Sequence, residues 1–236
     1  MDRKAALGNG NYYRREKMTV TLKWVSAIGI VLIALTSCNG PTNEQKSHSM
    51  LQDSVPYDSL RVVLEAIYDT DQGVREKLMA SEGEEFGKLA YQMQQIDAVN
   101  QAQMKLILAE HGWLPQSKVG EKAADAIFFV VQHGGDEVIK ANLPALKKLA
   151  SENEAKTTHA AMMEDRLLMY EGKKQIYGTQ ASGDIHGKSY IWPIRDPERV
   201  NQLRKQAGFD LTVEENAERL DAIYDPERKL AKENKR

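Results

Sequence analysis

Apolar positions recur at helical spacing through most of the chain beyond residue 57. Leu60, Val63, Leu64, Ile67 and Tyr68 fall on one face of an amphipathic helix, with Asp58 placed as its N-cap. A longer helix is expected over 84–111, stopped by Gly112. Residues 120–133 are apolar nearly all round, including Ala123, Ala126, Ile127, Phe128, Phe129, Val130 and Val131, and they finish at Gly134-Gly135. An alanine-rich run of this length suits a buried central helix, with a core strand at 126–132 as the competing reading. The stretch 136–153 is helical but contains Pro144, which predicts two short pieces. A further helix over 155–171 stops at Gly172.

The period then changes. Segments 174–180 and 189–194 are short, aromatic and β-branched, and they read as a hairpin joined by 181–188. Asp196-Pro197 opens a helix running to Gly208, with proline at its favoured first position. Thr212 and Glu215 form a capping-box pattern before the last helix. The pattern predicts a mainly α protein: a multi-helix orthogonal bundle with one short β-hairpin near residues 174–194. A single helical domain is expected over 58–224, followed by a charged tail over 225–236.

The amino terminus is different material. Residues 24–35 are a run of 12 uncharged, mostly apolar residues, too short to span a bilayer core, which needs roughly 20. With Lys23, Arg14, Arg15 and Lys17 upstream, the run fits the apolar region of a secretory signal. It ends in Leu35-Thr36-Ser37-Cys38, which resembles the lipobox of bacterial lipoproteins. That resemblance implies cleavage before Cys38 and acylation of its thiol. Cys38 is then an attachment point, since two or three acyl chains hold a protein stably at a membrane. Residues 1–37 read as the signal, with Met18 a plausible true start, and 38–57 as a flexible tether containing Gly40, Pro41, Ser47, Ser49 and Pro56.

Charge confirms the division. The whole chain carries a net charge of −2, but residues 1–37 hold six basic and two acidic side chains, so the remainder has a net charge of −6. Such a domain lacks the basic stripe of a nucleic-acid binder. It also needs its acyl chains to stay on an anionic membrane. The single cysteine excludes an intramolecular disulfide and any multi-cysteine metal site.

Candidate chemistry lies in the interior. At about 100° per residue, Phe86, Ala90, Met93, Asp97, Asn100, Met104, Leu108 and His111 share one stripe of the 84–111 helix. Three polar residues interrupt that apolar face. Asp97 therefore calls for a cation, a donor or a wet cavity. The next apolar helix ends in Gln132-His133, and the 155–171 helix carries Asp165-Arg166. His111, His133 and His159 could each ligate a metal, but no His-Glu-x-x-His or Glu-x-x-His spacing is present, and no metal site is assigned. Neither a nucleophile elbow nor a phosphate-binding glycine motif occurs, so no cofactor is named.

Several local segments, read in order, carry a wider resemblance. They are Asp71-Gln72 with Arg75, Asp97 with Asn100, His111-Gly112-Trp113, Gln132-His133, Leu143-Pro144, Asp165-Arg166, Tyr177-Gly178-Thr179-Gln180, Asp196-Pro197 and Arg204 before Gly208. Over roughly 58–210 this order resembles an uncharacterised bacterial family, often secreted or lipid-anchored, whose hallmark is the Tyr-Gly-Thr-Gln segment. Leu114 before Pro115 and Gly134-Gly135 before Asp136 depart from its usual pattern, and both affect loops. The family implies no activity. Two functions are consistent with these residues. One is a lipid-anchored, periplasmic or surface-facing envelope protein binding a small polar or anionic ligand or a peptide. Its site would use Arg75 and Arg166 with Asp71, Gln72, Asn100, Gln132, Tyr177 and Gln180. The other is an envelope hydrolase or transferase, with or without a metal, using His111 or His133 as base oriented by Asp97 or Asp165.

Overall fold

The protein is described from a computed structural model over residues 57–183 and 187–230. The expectations for residues 1–56 (signal, Cys38 and tether) lie outside the described residues. The described residues form α1 (Tyr57–Ala80), α2 (Gly83–His111), α3 (Gln116–Val119), α4 (Glu121–Gln132), α5 (Asp136–Ser151), α6 (Thr157–Tyr170), β1 (Ala181–Gly183), β2 (Ser189–Ile191), α7 (Val200–Gln206) and α8 (Val213–Arg219). The fold is mainly α with one short antiparallel hairpin.

The apolar run at 121–132 is the helix on which the others pack. It is helix and not strand: Ala123, Ala126, Ile127, Phe128, Val130 and Val131 are all buried and spread over more than half of the circumference of α4, leaving only the strip of Glu121, Lys122, Asp125 and Phe129 less covered. A strand buries at most two opposite faces, whereas a helix apolar over most of its circumference must be covered by several neighbours. Accordingly α1, α2, α3, α5 and α6 all touch α4. A second cluster joins Ile191 and Ile194 to Val200, Val213 and Ala217, binding the hairpin to α7 and α8.

Three elements differ from the sequence pattern. The first helix continues to Ala80, because its buried face runs Leu64, Ile67, Asp71, Val74, Leu78. Asp71 occupies an interior position, and a carboxylate there makes the apolar pattern look finished at Tyr68. Asp58 lies inside the first turn of α1 and is not its cap. Next, α5 runs unbroken through Pro144. Proline forfeits one backbone bond, but Ile139, Leu143, Leu146 and Ala150 stay buried on one face, so tertiary packing outweighs the local loss. Last, α7 begins at Val200, with 196–199 forming a turn. The predicted capping box is present: the Thr212 hydroxyl accepts from Glu215 N–H at 3.3 Å, and the Glu215 carboxylate accepts from Thr212 N–H at 2.7 Å.

The hairpin is displaced along the chain. Its strands pair Ala181 with Ile191, Ser182 with Tyr190 and Gly183 with Ser189, so β1 starts where the turn was expected. Residues 176–180 are not strand, because side chains have taken their backbone groups. The buried Asp165 carboxylate accepts from the N–H of Ile176 at 2.7 Å, Tyr177 at 3.1 Å and Thr179 at 3.1 Å, and from the Thr179 hydroxyl at 3.0 Å. Gln175 accepts from Gln180 N–H at 2.9 Å and donates to the Gln180 and Trp192 carbonyls at 3.0 and 2.7 Å.

The carbonyls of the same loop are used as well. Arg204, itself buried, donates to the Tyr177 carbonyl at 2.7 Å, and Asn216 donates to that of Gly178 at 3.0 Å. Gly178 has φ +68°, and a Cβ there would lie 2.6 Å from Val213 Cγ2, so glycine is required on both counts. Burial pushes the Asp165 carboxyl up to about 6 against the pull of its donors. At pH 7 it is the carboxylate, the form that four donors require.

Asp165→Asn preserves size but leaves one acceptor oxygen where two serve four donors. The variant should lose about 2–4 kcal/mol at pH 7 in urea denaturation, with faster amide exchange at 176–179. A loss below about 0.5 kcal/mol would show that the loop is held without the carboxylate.

Candidate functional site

One turn separates Asp71 from Arg75 on α1, and this spacing brings the guanidinium back over the buried carboxylate. Arg75 Nη1 is 3.1 Å from Asp71 Oδ1, and Nη2 is 2.8 Å from Asp97 Oδ1 on α2. One arginine therefore serves two carboxylates from two helices. They differ in environment: Asp71 is 1% exposed, whereas the Asp97 side chain is 26% exposed. Gln72 adds a donor to Asp71 Oδ2 at 2.6 Å. Burial pushes the Asp71 carboxyl up, but the facing His133, the Arg75 charge and the Gln72 amide outweigh it and hold it below the usual carboxylate value.

The carboxyl end of α4 supplies the next groups. Gln101 of α2 donates to the Val130 carbonyl near that end, and a Cβ on Gly134 would meet the Gln101 side chain at 2.7 Å. His133, placed by this turn, presents Nδ1 to Asp71 Oδ1 at 3.8 Å, a facing contact outside hydrogen-bond range. Burial lowers the His133 pKa; the Asp71 contact opposes this, while the charges of Arg75 and of Arg166 on α6 reinforce it. The imidazole is thus neutral at pH 7. Gln132 reaches the Met162 carbonyl of α6 at 3.5 Å, and Gln180 reaches the same carbonyl at 3.4 Å. Arg166 lies one turn beyond Met162 on α6.

Among the described residues, five buried side-chain polar atoms have no aligned hydrogen bond: Asp71 Oδ1, which keeps its ion-pair contact with Arg75, and Asn100 Nδ2, Gln132 Oε1, His133 Nδ1 and Arg166 Nε. They come from α1, α2, the end of α4 and α6. Native interiors leave few such atoms, and each costs roughly 1–3 kcal/mol unless something completes it. The group reaches solvent through the partly exposed side chains of Arg75, Asp97 and His133.

Some expected site residues lie elsewhere. His111 shares the stripe of Asp97 but sits 14 residues along α2, about 21 Å at 1.5 Å per residue; its Nε2 is 3.7 Å from Glu110. Asp165 faces backbone donors and no histidine. The Tyr177 ring is 6.2 Å from that of Phe209, in the part of the fold held by Arg204. His159 stacks on Phe128 at 3.7 Å, and burial pushes its pKa down to about 3. Among the described residues, no three His, Cys, Asp or Glu side chains gather as metal ligands. Two surface hollows of about 240 and 330 Å³ are lined by other residues, the first by Lys188, Ser189, Glu218 and Ile223 among others, the second by Tyr68, Glu121, Lys122 and Asp125.

Asp71 is a candidate binding residue in the sequence, but its pairing with His133 has no signal there. Gln101 and Gln175, the backbone clamps, are residues of ordinary type at unremarkable spacing.

The chain belongs to DUF6624, a family of unknown function, whose model matches residues 58–228. No curated protein and no solved structure matches it.

Arg75→Met should destabilise by about 3 kcal/mol at pH 7, because it leaves Asp71 charged, buried and without its cation. Asp97→Asn should cost under about 1 kcal/mol, since that carboxylate is partly hydrated. The pH dependence gives the sign. In the parent chain the depressed Asp71 stabilises above the ordinary carboxylate pKa, and this is lost as pH falls through the folded value. In Arg75→Met burial dominates, the folded carboxyl binds its proton more tightly than the unfolded one, and the deficit narrows towards pH 4.5. Urea denaturation at pH 7 and 4.5 checks this, and a deficit that does not depend on pH would contradict it.

Proposed function

We propose that this is a lipid-anchored cell-envelope protein whose interhelical polar site binds a small polar or anionic ligand or peptide. The observation that carries the reading is the Arg166 guanidinium. Its Nε is buried without a hydrogen-bond partner, one turn along α6 from the Met162 carbonyl that the Gln132 side chain reaches. A guanidinium desolvated on one edge is a strong receptor for a carboxylate or phosphate oxygen. The anchor rests on the apolar run 24–35 followed by Leu35-Thr36-Ser37-Cys38.

A second reading is an envelope hydrolase or transferase. Its support is the Asp71–His133 juxtaposition at 3.8 Å, with the imidazole neutral and so able to accept a proton. His133 would take the proton of water or a substrate hydroxyl, and Asp71 would stabilise the imidazolium formed. The two readings part at His133→Gln: a binding site keeps its affinity within a few-fold, whereas a general base loses turnover of ester or phosphoester substrates outright.

For binding, the full chain in detergent is titrated calorimetrically with acetate and with inorganic phosphate. Saturable binding that weakens at least tenfold in Arg166→Gln, with the helical signal preserved, is the expected result; equal affinity in the variant would remove Arg166 from the site. For the anchor, Cys38→Ser should abolish fatty-acid labelling and release the protein from the membrane fraction. Continued labelling of that variant would sink the lipidation assignment.

A further inference from the structure

The polar site is electrically two-ended. Arg75 lies between Asp71 and Asp97, at 3.1 and 2.8 Å, so two carboxylates share one guanidinium and this end has a net charge of −1. Among the described residues, no carboxylate forms an ion pair with Arg166, and the adjacent Asp165 is turned to the 176–179 loop, so the Arg166 guanidinium brings from α6 a positive charge that no carboxylate offsets directly. His133 stands between the two ends. It faces Asp71 from α1 at 3.8 Å and feels the charges of Arg75 from α1 and Arg166 from α6. A neutral imidazole cancels neither end.

The unpartnered atoms are of both kinds. Gln132 Oε1 can only accept a hydrogen bond, while Asn100 Nδ2 and Arg166 Nε can only donate one. Asp71 Oδ1, in ion-pair contact with Arg75 Nη1 at 3.1 Å but without an aligned hydrogen bond, is a further acceptor, and His133 Nδ1 faces it at 3.8 Å. Asp71, Asn100 and Gln132 are 1%, 4% and 2% exposed, so bulk water does not complete them. A simple anion would satisfy the donors and leave the acceptors bare. A simple cation would do the reverse. A molecule with both a carboxylate and an ammonium group completes both sets and leaves the site with no added charge, which matters where desolvation penalises any imbalance.

We infer that the ligand of this site is a small zwitterion of the amino-acid class, its carboxylate on Arg166 and its ammonium group towards the Asp71–Asp97 end. This rests on the binding reading above and narrows it to one chemistry. The acyl anchor and the small-ligand site then belong to a protein that meets free amino acids or similar zwitterions in the envelope.

The test uses the full chain in detergent at pH 7, titrated calorimetrically with glycine, acetate and methylammonium. Glycine should bind at least tenfold more tightly than either single-charge probe. Arg166→Gln should weaken glycine and acetate alike, by tenfold or more. Asp97→Asn, at the partly exposed carboxylate, should weaken glycine several-fold and leave acetate unchanged. Acetate binding as tightly as glycine, with no effect of Asp97→Asn on glycine, overturns the zwitterion inference and leaves an anion site standing. Saturable binding of none of the three probes overturns both.

Discussion

The carboxylate of Asp165, buried within α6, is the constraint on which the smaller half of the fold depends. A charge in that position is tolerable only if every lone pair is used, and here three backbone N–H groups and one hydroxyl meet it. Using those donors fixes the backbone of 176–179 in a conformation that no strand could adopt. Its carbonyls then point outward to Arg204 and Asn216, which fasten α7 and α8. One side chain therefore links α6, the hairpin and the last two helices.

Asp71 is an equally buried carboxylate with the opposite character. Its partners are side chains (Arg75, Gln72 and, at longer range, His133), and one of its oxygens remains without an aligned donor. Backbone amides in a closed loop are rigid and leave Asp165 nothing further to bind. The side chains around Asp71, on α1 and at the end of α4, are not locked into a closed loop in this way. The difference separates a carboxylate closed by backbone amides from one held by side chains, although both read as an interior Asp.

The same distinction explains how the hallmark segments divide. Asp71, Gln72, Arg75, Asp97, Asn100, Gln132, His133 and Arg166 contribute to the polar site. Asp165 and the Tyr-Gly-Thr-Gln loop mainly build the scaffold beside it, with Gln180 touching both through the Met162 carbonyl it approaches together with Gln132. His111 stayed apart for a simple reason: helical periodicity reports the angle around the axis and says nothing of height along it.

By itself the sequence determined the helical class, the enclosed central helix at 121–132, the stop at Gly112 and the Thr212 capping box, because each follows from interactions within a few residues. It also placed polar groups in the interior of α2, α4 and α6. Tertiary structure alone decided that α5 continues through Pro144, that α1 runs on past Asp71, and that 176–180 wraps around a carboxylate in place of pairing as a strand. It alone chose Asp71 over Asp97 or Asp165 as the neighbour of His133. Those outcomes depend on which surfaces meet across long separations in sequence, where packing and the need to satisfy buried polar atoms outweigh local propensity.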